Sequence, residues 1–235
     1  MTVAFDSSSA GVEFHNFGSW GSANPYTFSG PTPVSTPKGV VVFILAPGSS
    51  IDMLPTVTYG GVAMTKVDTA AAVSTPENQG CYSFFLGSGI PAGAQTVSIA
   101  YDDSDMGVKK AVCIVLTAGA DTTVVAHGLV TGIPANPSVT LDSGAVVAIR
   151  LVALSSGHVI AETVTLGAGL TAVLAGEDAT ALAQSRHVAR QTTPSSGSVA
   201  VGYTTTTDDV AMTALAVAEL AVVSSGVEFI GGGFF

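Results

Sequence analysis

The sequence predicts an all-β protein, a jelly-roll-like β-sandwich built from two degenerate sequence halves. Short runs rich in Val, Ile, Thr, Tyr and Phe recur along the 235 residues, and clusters of Gly, Pro, Ser and Asp separate them. Blocks of the first half also return in the second half in the same order. Because one half alone would expose a long apolar face, we expect the halves to pack face to face, as separate sheets or with interleaved strands.

Two segments show the two patterns of strand burial. Residues 40–46 are continuously apolar, which is typical of a strand that is covered on both faces. Residues 96–101 alternate, so Val97, Ile99 and Tyr101 share one face of a strand. The sequence therefore predicts both fully covered and half-covered strands.

The internal repeat is degenerate but keeps its order and its spacing. The recurring blocks are 39–44 with 144–149, 57–60 with 164–167, 93–101 with 196–203, and 112–116 with 214–218. Because side chains alternate along a strand, equivalent triplets should face the same side of their sheets. The predicted equivalent triplets are Val97, Ile99 and Tyr101 with Val199, Val201 and Tyr203.

Helix and strand compete in two Ala-rich segments. Residues 210–223 have the composition of a helix, but their counterpart at 111–117 carries a β-branched run. We therefore interpret both as strands. Residues 177–188 form the best remaining helix candidate.

The predicted sandwich covers residues 37–222, with halves at about 37–120 and 140–222. An N-terminal arm, residues 1–36, is rich in aromatic residues, Gly and Pro, and a C-terminal tail, residues 223–235, is rich in Gly and Phe. The sequence Gly-Val-Glu-Phe occurs in both, at 11–14 and at 226–229.

Composition and charge exclude several classes of function. The net charge is −10 and the chain has only seven Lys and Arg residues, so we expect no nucleic-acid partner. The start of the chain lacks a secretory signal, and no apolar run is long enough to span a membrane. Lys109 and Lys110, the only basic pair, are interpreted as charges that protect the apolar strand after them. Cys81 and Cys113 are interpreted as buried free thiols, with a disulfide between paired strands left open.

The strand-and-turn pattern resembles a recurrent family of virion proteins from tailed bacteriophages and prophages. The matching elements are Val-Thr-Tyr-Gly-Gly-Val-Ala-Met-Thr-Lys-Val at 57–67, Pro-Ala-Gly-Ala-Gln-Thr-Val-Ser-Ile at 91–99, and Thr-Ala-Gly-Ala-Asp at 117–121, followed by a diverged second copy. The resemblance covers residues 38–222. It implies a duplicated β-sandwich on the virion, as a capsid-decorating, head-fibre or tail component that is made in the cytoplasm of the bacterial host. It also implies partners among other capsid or tail proteins and copies of the chain itself, and it supplies no catalytic residues.

We find no sequence motif for catalysis or for a cofactor. The four histidines are scattered without metal-ligand spacing, and no Gly-x-Ser-x-Gly motif occurs. One acidic loop, with Asp102, Asp103 and Asp105, is a weak Ca²⁺ candidate. We favour a solvated hairpin at these carboxylates and expect no metal.

The expected function is that of a non-enzymatic virion protein that decorates or stabilises the outside of a capsid or tail. The alternative is a receptor- or glycan-binding adhesin module of a phage tail or fibre. Sugar-binding platforms use exposed aromatic rings, but four tyrosines of the predicted sandwich fit core or cross-strand positions. These are Tyr59, Tyr82, Tyr101 and Tyr203.

Attachment to neighbours is expected to use the two ends, where the large aromatic residues concentrate. The predicted attachment residues are Phe14, Phe17, Trp20, Phe229, Phe234 and Phe235. Their rings would enter grooves of neighbouring proteins. The alternative is that both ends fold back onto their own sandwich and pair their Gly-Val-Glu-Phe segments.

Overall fold

The computed structural model is all-β across the residues that it describes. These are residues 2–6, 15–17, 24–47, 55–72, 79–101, 109–132, 134, 136–157, 164–178, 184–205 and 209–220. In chain order the strands are β1 (Ala4–Phe5), β2 (His15–Phe17), β3 (Tyr26–Ser29), β4 (Gly39–Pro47), β5 (Thr56–Tyr59), β6 (Val62–Ala63), β7 (Thr65–Ala72), β8 (Gln79–Leu86), β9 (Thr96–Ala100), β10 (Lys109–Thr117), β11 (Thr122–Gly132), β12 (Ser138–Asp142), β13 (Ala148–Gly157), β14 (Thr165–Leu166), β15 (Leu170–Asp178), β16 (Gln184–Gln191), β17 (Ser198–Thr204) and β18 (Asp209–Glu219).

The strands form two large sheets and two small ones, and every pairing between them is antiparallel. The first large sheet has the order β1-β10-β4-β8-β7, with β2 also paired to β10. The second has the order β11-β18-β13-β16-β15. The small sheets have the orders β3-β9-β5-β6 and β12-β17-β14.

The two large sheets pack against each other and share a central core, and each small sheet covers the outer face of one large sheet through a core of its own. Strand β4 shows how the sequence specifies this arrangement. Its side chains alternate between the core below the small sheet (Val40, Val42 and Ile44) and the central core (Val41, Phe43 and Leu45). The continuous apolar run is therefore required on both faces of the strand, as the sequence predicts.

The two halves have the same order of strands. In the first large sheet, β10 is the last strand of its half and lies between the edge strand β1 and the central strand β4. In the second, β18 is the last strand of its half and lies between the edge strand β11 and the central strand β13. Both edge strands precede their half in the chain. The opposite edge strand carries an irregularity in both sheets, between Lys66 and Asp68 in β7 and between Ala172 and Leu174 in β15. Among the described residues, strands from the two halves do not interleave. That the halves arose by duplication remains a prediction, which the common strand order supports.

The predicted equivalent triplets face the same way in the small sheets, whereas the predicted block alignment fails in the large sheets. Ile99 and Val201, which the triplets match, both face the core below their small sheet. The block alignment, however, matches Phe43 of the central core with Ala148 of an outer core. The reason is local, because Gly144 has a φ of 59° and residues 144–147 form a turn rather than a strand.

Of the two Ala-rich segments, one was predicted correctly and one was not. Strand β18 (Asp209–Glu219) confirms the strand interpretation for the described part of 210–223. The helix candidate at 177–188 is wrong, because β15 extends to Asp178 and β16 begins at Gln184. Strand β16 lies between two other strands, and Val188 and Ala189 face different cores. Burial on both faces of a sheet has overridden the helix propensity.

Arg150 of β13 is fully buried below the second small sheet and organises the loops at one end of the sandwich. Its guanidinium group donates hydrogen bonds to the carbonyl oxygens of Ser195 (2.9 Å) and Gly197, to Oε1 of Gln191 (3.0 Å) and to Oγ of Ser143 (3.1 Å). Burial lowers the pKa of Arg150, and the charge of Asp142 opposes that shift. An arginine stays protonated in proteins, so the charge is held by these acceptors.

We expect Arg150→Met to lower the free energy of unfolding by about 3 kcal/mol or more, since it leaves several buried carbonyl oxygens without a donor. Urea unfolding followed by circular dichroism measures this. The control is Arg190→Met, because Arg190 stacks 4.5 Å above the Phe5 ring and is only partly buried. That change should cost about 1 kcal/mol or less, and equal losses in the two variants would contradict the role of Arg150.

His187 of β16 makes stability depend on pH. It is 7% exposed and its ring lies 5.8 Å from that of Tyr203, and burial lowers its pKa to about 4. Above about pH 6.5 the ring is neutral in both the folded and the unfolded chain. Between pH 6.5 and 4 only the unfolded chain takes up the proton, so this group lowers stability as the pH falls.

We therefore expect His187→Leu to lose about 2–3 kcal/mol less than wild type when the pH is lowered from 7 to 4.5. The free energy of unfolding in urea at each pH measures the difference. Between pH 7 and 8 the two proteins should show the same pH dependence. A parallel loss in both proteins down to pH 4.5 would contradict the assignment.

Candidate assembly surface

The outer edge of β10, on the side away from β4, is the part of the fold that receives the N-terminal segment. We call it the β10 edge. Strand β1 pairs with its C-terminal end, where Ala4 lies opposite Thr117 and Phe5 opposite Leu116. Strand β2 pairs with its N-terminal end, where Asn16 lies opposite Lys110. The N-terminal segment thus adds two short strands to the first large sheet.

The residues around β1 are anchored in the sandwich. Val3 is fully buried in the central core, and Phe5 packs against the same core beneath the guanidinium group of Arg190. Asp6 is almost fully buried, its amide donates a hydrogen bond to the carbonyl oxygen of Val115 (3.1 Å), and its carboxylate accepts one from the amide of Val34 (3.3 Å). Burial and hydrogen bonding together hold this segment on its own sheet.

An open groove of about 640 Å³ runs beside β1. Its lining includes Thr2, Ala4, Ser35, Lys38, Thr117 and Ala118. Lys38 lies 3.6 Å from the Asp121 carboxylate, an exposed pair that contributes little to stability. The Asp121 carbonyl oxygen accepts a hydrogen bond from the amide of Leu220 (2.8 Å). The groove, the loop that joins the two halves and the end of β18 therefore meet at one end of the sandwich.

Among the described residues, the corresponding edge in the second half is paired at more positions. Strand β11 pairs with β18 at ten positions and is a continuous strand with one bulge near Val125. On the β10 edge, the described residues of β1 and β2 pair at five positions, two in β1 and three in β2. The edges of a sheet are the places where a further strand can be added.

The structure places one predicted attachment residue at this edge. Phe17 is the last residue of β2 and lies opposite Lys109. Phe14, Trp20, Phe229, Phe234 and Phe235 lie outside the described residues, as does the Ca²⁺ candidate formed by Asp102, Asp103 and Asp105.

The N-terminal arm is part of the sandwich wherever it is described. Besides β1 and β2, strand β3 pairs with β9 of the small sheet, where Phe28 is buried opposite Val97. No change of structure therefore marks the predicted boundary between residues 36 and 37. For the described residues of the arm, folding back onto the sandwich is the alternative that the structure favours.

A sequence signal for this extension exists and was missed. Ala-Asn-Pro precedes both β3 and β12, at 23–25 and at 135–137. The Asn24 side-chain amide donates to the carbonyl oxygen of Tyr101 (2.6 Å), and its oxygen accepts from the Tyr101 amide (3.3 Å). In the second half, the Pro137 carbonyl oxygen accepts from the amide of Tyr203 (2.9 Å). The repeat thus includes the strand before each predicted half.

Other predicted positions are partly confirmed. The four tyrosines of the sandwich, Tyr59, Tyr82, Tyr101 and Tyr203, are all buried, as expected of core residues. Lys110 is buried as well and belongs to β10 itself, which corrects its interpretation as a charge that protects the strand after it. His127 on β11 lies 2.9 Å from Asp68 on β7, whereas the His187 ring lies against that of Tyr203. Within the described ranges, the structure brings together no group of three His, Cys, Asp or Glu side chains that could hold a metal ion.

The two cysteines are free and buried on opposite faces of the first large sheet. Cys81 faces the central core, where its thiol lies 3.4 Å from Oγ1 of Thr213 and 3.5 Å from the carbonyl oxygen of Ala153. Cys113 faces the core below the small sheet. The predicted free thiols are confirmed, and the disulfide alternative is wrong. Burial raises the pKa of Cys81 to about 12 and that of Cys113 still further.

Comparison with known proteins gives no relative. No family model matches the chain, and no curated protein and no solved structure is significantly similar to it. Among the described residues, no helix has the length and apolar character needed to cross a membrane.

We expect both thiols to be unreactive in the folded protein and fully reactive after unfolding, because reaction requires an accessible thiolate. Ellman's reagent at pH 8 should label the native protein at least about 100-fold more slowly than the protein in 6 M guanidinium chloride. Rapid labelling of either cysteine in the native protein would contradict its burial.

Proposed function

We propose that this protein is a non-enzymatic structural component of a tailed-bacteriophage virion. In this proposal it decorates or stabilises the outside of the capsid or the tail through contacts with other virion proteins and with copies of itself. The observation that carries the proposal is the β10 edge, where a segment outside the predicted sandwich is added to a large sheet as a strand. Adding strands in this way is a general mode of protein association.

The arrangement of the sandwich supports the same proposal. The pattern that resembles the virion family falls on a series of strands and turns of the first half, from β5 through the turn at Gly60 and Gly61 to β7, and then on β9 and the end of β10. Only about 10% of the residues are charged, which favours a surface that is covered by neighbours in an assembly. A protein held in this way stabilises a shell by mass action, because binding favours the assembled state.

Removal of residues 226–235 tests the attachment. These residues carry three of the predicted attachment rings, Phe229, Phe234 and Phe235. We expect the truncated protein to keep its circular dichroism spectrum and melting temperature but to lose its place on particles, measured as copies per purified particle by quantitative mass spectrometry. A matched control replaces only these three residues by serine and keeps the length of the chain.

Wild-type occupancy by both variants would show that the tail takes no part in attachment.

Imaging of labelled particles tests the location of the protein on the virion. Regular copies over the shell or along the tail agree with decoration, whereas copies only at a distal tip would replace the proposal with the adhesin.

A further inference from the structure

The groove beside β1 has a polar lining. Four hydroxyl groups and one ammonium group line it, from Thr2, Ser35, Thr36, Thr117 and Lys38. The other described lining residues are Ala4 and Ala118, so this lining has no aromatic ring and no large aliphatic side chain. The volume of about 640 Å³ is in the range of small-molecule sites, but such sites are usually lined by apolar side chains. The groove therefore fits a hydrophilic ligand better than an apolar one.

Hydrogen bonds hold the walls of this groove in place. The Lys38 amide donates to the carbonyl oxygen of Leu116 (2.9 Å), and the Lys38 carbonyl oxygen accepts from Oγ1 of Thr122 (2.5 Å). The segment before Lys38 is held by the hydrogen bond from the Val34 amide to the buried Asp6 carboxylate. A ligand would therefore meet walls that are already formed, which reduces the entropy lost on binding.

The positive charge in the groove is the ammonium group of Lys38. Its nitrogen lies 3.6 Å from the Asp121 carboxylate, which is too far for a hydrogen bond, and both side chains are partly exposed. A lysine ammonium group has three hydrogen-bond donors, so Lys38 can bind a ligand carboxylate while Asp121 competes for its charge. Because the chain has a net charge of −10, a ligand with one negative charge fits better than a ligand with several.

A sugar acid combines the groups that this lining can bind. Its hydroxyl groups donate and accept hydrogen bonds, as do the hydroxyl groups of Ser and Thr. Its carboxylate accepts a charge-assisted hydrogen bond from an ammonium group. The four tyrosines of the sandwich are buried, so they offer a neutral sugar no ring on which to stack. The carboxylate thus supplies the interaction that distinguishes a sugar acid from a neutral sugar.

We infer that the groove beside β1 is a binding site for a sugar acid, and that Lys38 binds its carboxylate. The site goes beyond the proposed structural role. It belongs to the isolated protein and needs no other virion component, so its failure would leave the proposed function as it stands.

Titration of the full-length protein with two sugars tests the inference. D-Galacturonate and D-galactose differ only at C6, which is a carboxylate in the first and a hydroxymethyl group in the second. In NMR spectra of the backbone amides at low ionic strength, we expect galacturonate to shift the signals of Thr36, Lys38 and Ala118. It should bind at least about tenfold more tightly than galactose. Equal binding of the two sugars, or shifts that lie only outside the groove, would overturn the inference.

Variants of the two charged residues test the role of Lys38. Lys38→Met should reduce the affinity for galacturonate to that for galactose, whereas Lys38→Arg should keep the preference. Asp121→Asn should raise the affinity for galacturonate about threefold and leave that for galactose unchanged, because it removes a competing carboxylate. The matched control is Lys66→Met, which removes an exposed charge from β7 at the opposite edge of the sheet and should change neither affinity. A preference for galacturonate that survives Lys38→Met would overturn the inference.

Acetate separates a sugar-acid site from a general anion site, since it has the carboxylate without the hydroxyl groups. We expect acetate to bind at least about tenfold more weakly than galacturonate, because it leaves the hydroxyl groups of the groove without partners on the ligand. Acetate binding as tight as that of galacturonate would overturn the assignment to a sugar acid.

Discussion

Burial of both faces of each large sheet is the constraint on which the rest of this structure depends. A sheet that is covered on both sides needs apolar side chains at successive positions, and β4, β13 and β18 supply them. The alignment of the two large sheets is then specified by a few polar contacts within the central core. Oγ of Ser155 donates to Oε1 of Gln79 across the sheets (2.8 Å), and the Cys81 thiol contacts Thr213. Such buried polar contacts tolerate little displacement, because a lost partner leaves a desolvated group.

The same constraint leaves the sheet edges as the places where backbone groups can pair with a further strand. With both faces of the large sheets covered, the described strands that retain open backbone groups are edge strands such as β1, β2, β7 and β15. Proteins usually protect such strands with charges or bulges. Strands β7 and β15 each have an irregularity, and β7 also carries Lys66 and Asp68. The β10 edge is instead covered by two short strands from the N-terminal segment.

The sequence was sufficient to predict most of the fold, since period-two alternation and continuous apolar runs report burial directly. It was not sufficient where local signals oppose tertiary ones. Gly144 and the valines that follow it resemble the start of β4 in sequence. They form a turn instead, which a hydrogen bond from the Ser143 side chain stabilises. The segment 177–188 has the composition of a helix, yet its position between two strands of a sheet decides its structure.

The candidate surface was predictable only in outline. Aromatic residues and a shared Gly-Val-Glu-Phe motif pointed to the two ends, and Phe17 does lie on β2 at the β10 edge. That β1 and β2 correspond to β11 follows from pairing between residues that are far apart in the chain, which no local pattern reports. The burial of Lys110 was missed as well.

The common strand order of the halves does not make them interchangeable. When the irregularities of β7 and β15 are placed at equivalent positions, the pairing through β8 and β16 makes Phe43 of β4 equivalent to Ala153 of β13. The pairing of β4 with β10, and of β13 with β18, then makes Lys110 equivalent to Ala211. A second copy of the first half, placed where the second half lies, would put a phenyl ring and an ammonium group where the central core now has two methyl groups. Overpacking and a buried charge would both oppose that assembly. The two surfaces of the central core are therefore complementary rather than alike, and a substitution on one of them restricts what the other can accept.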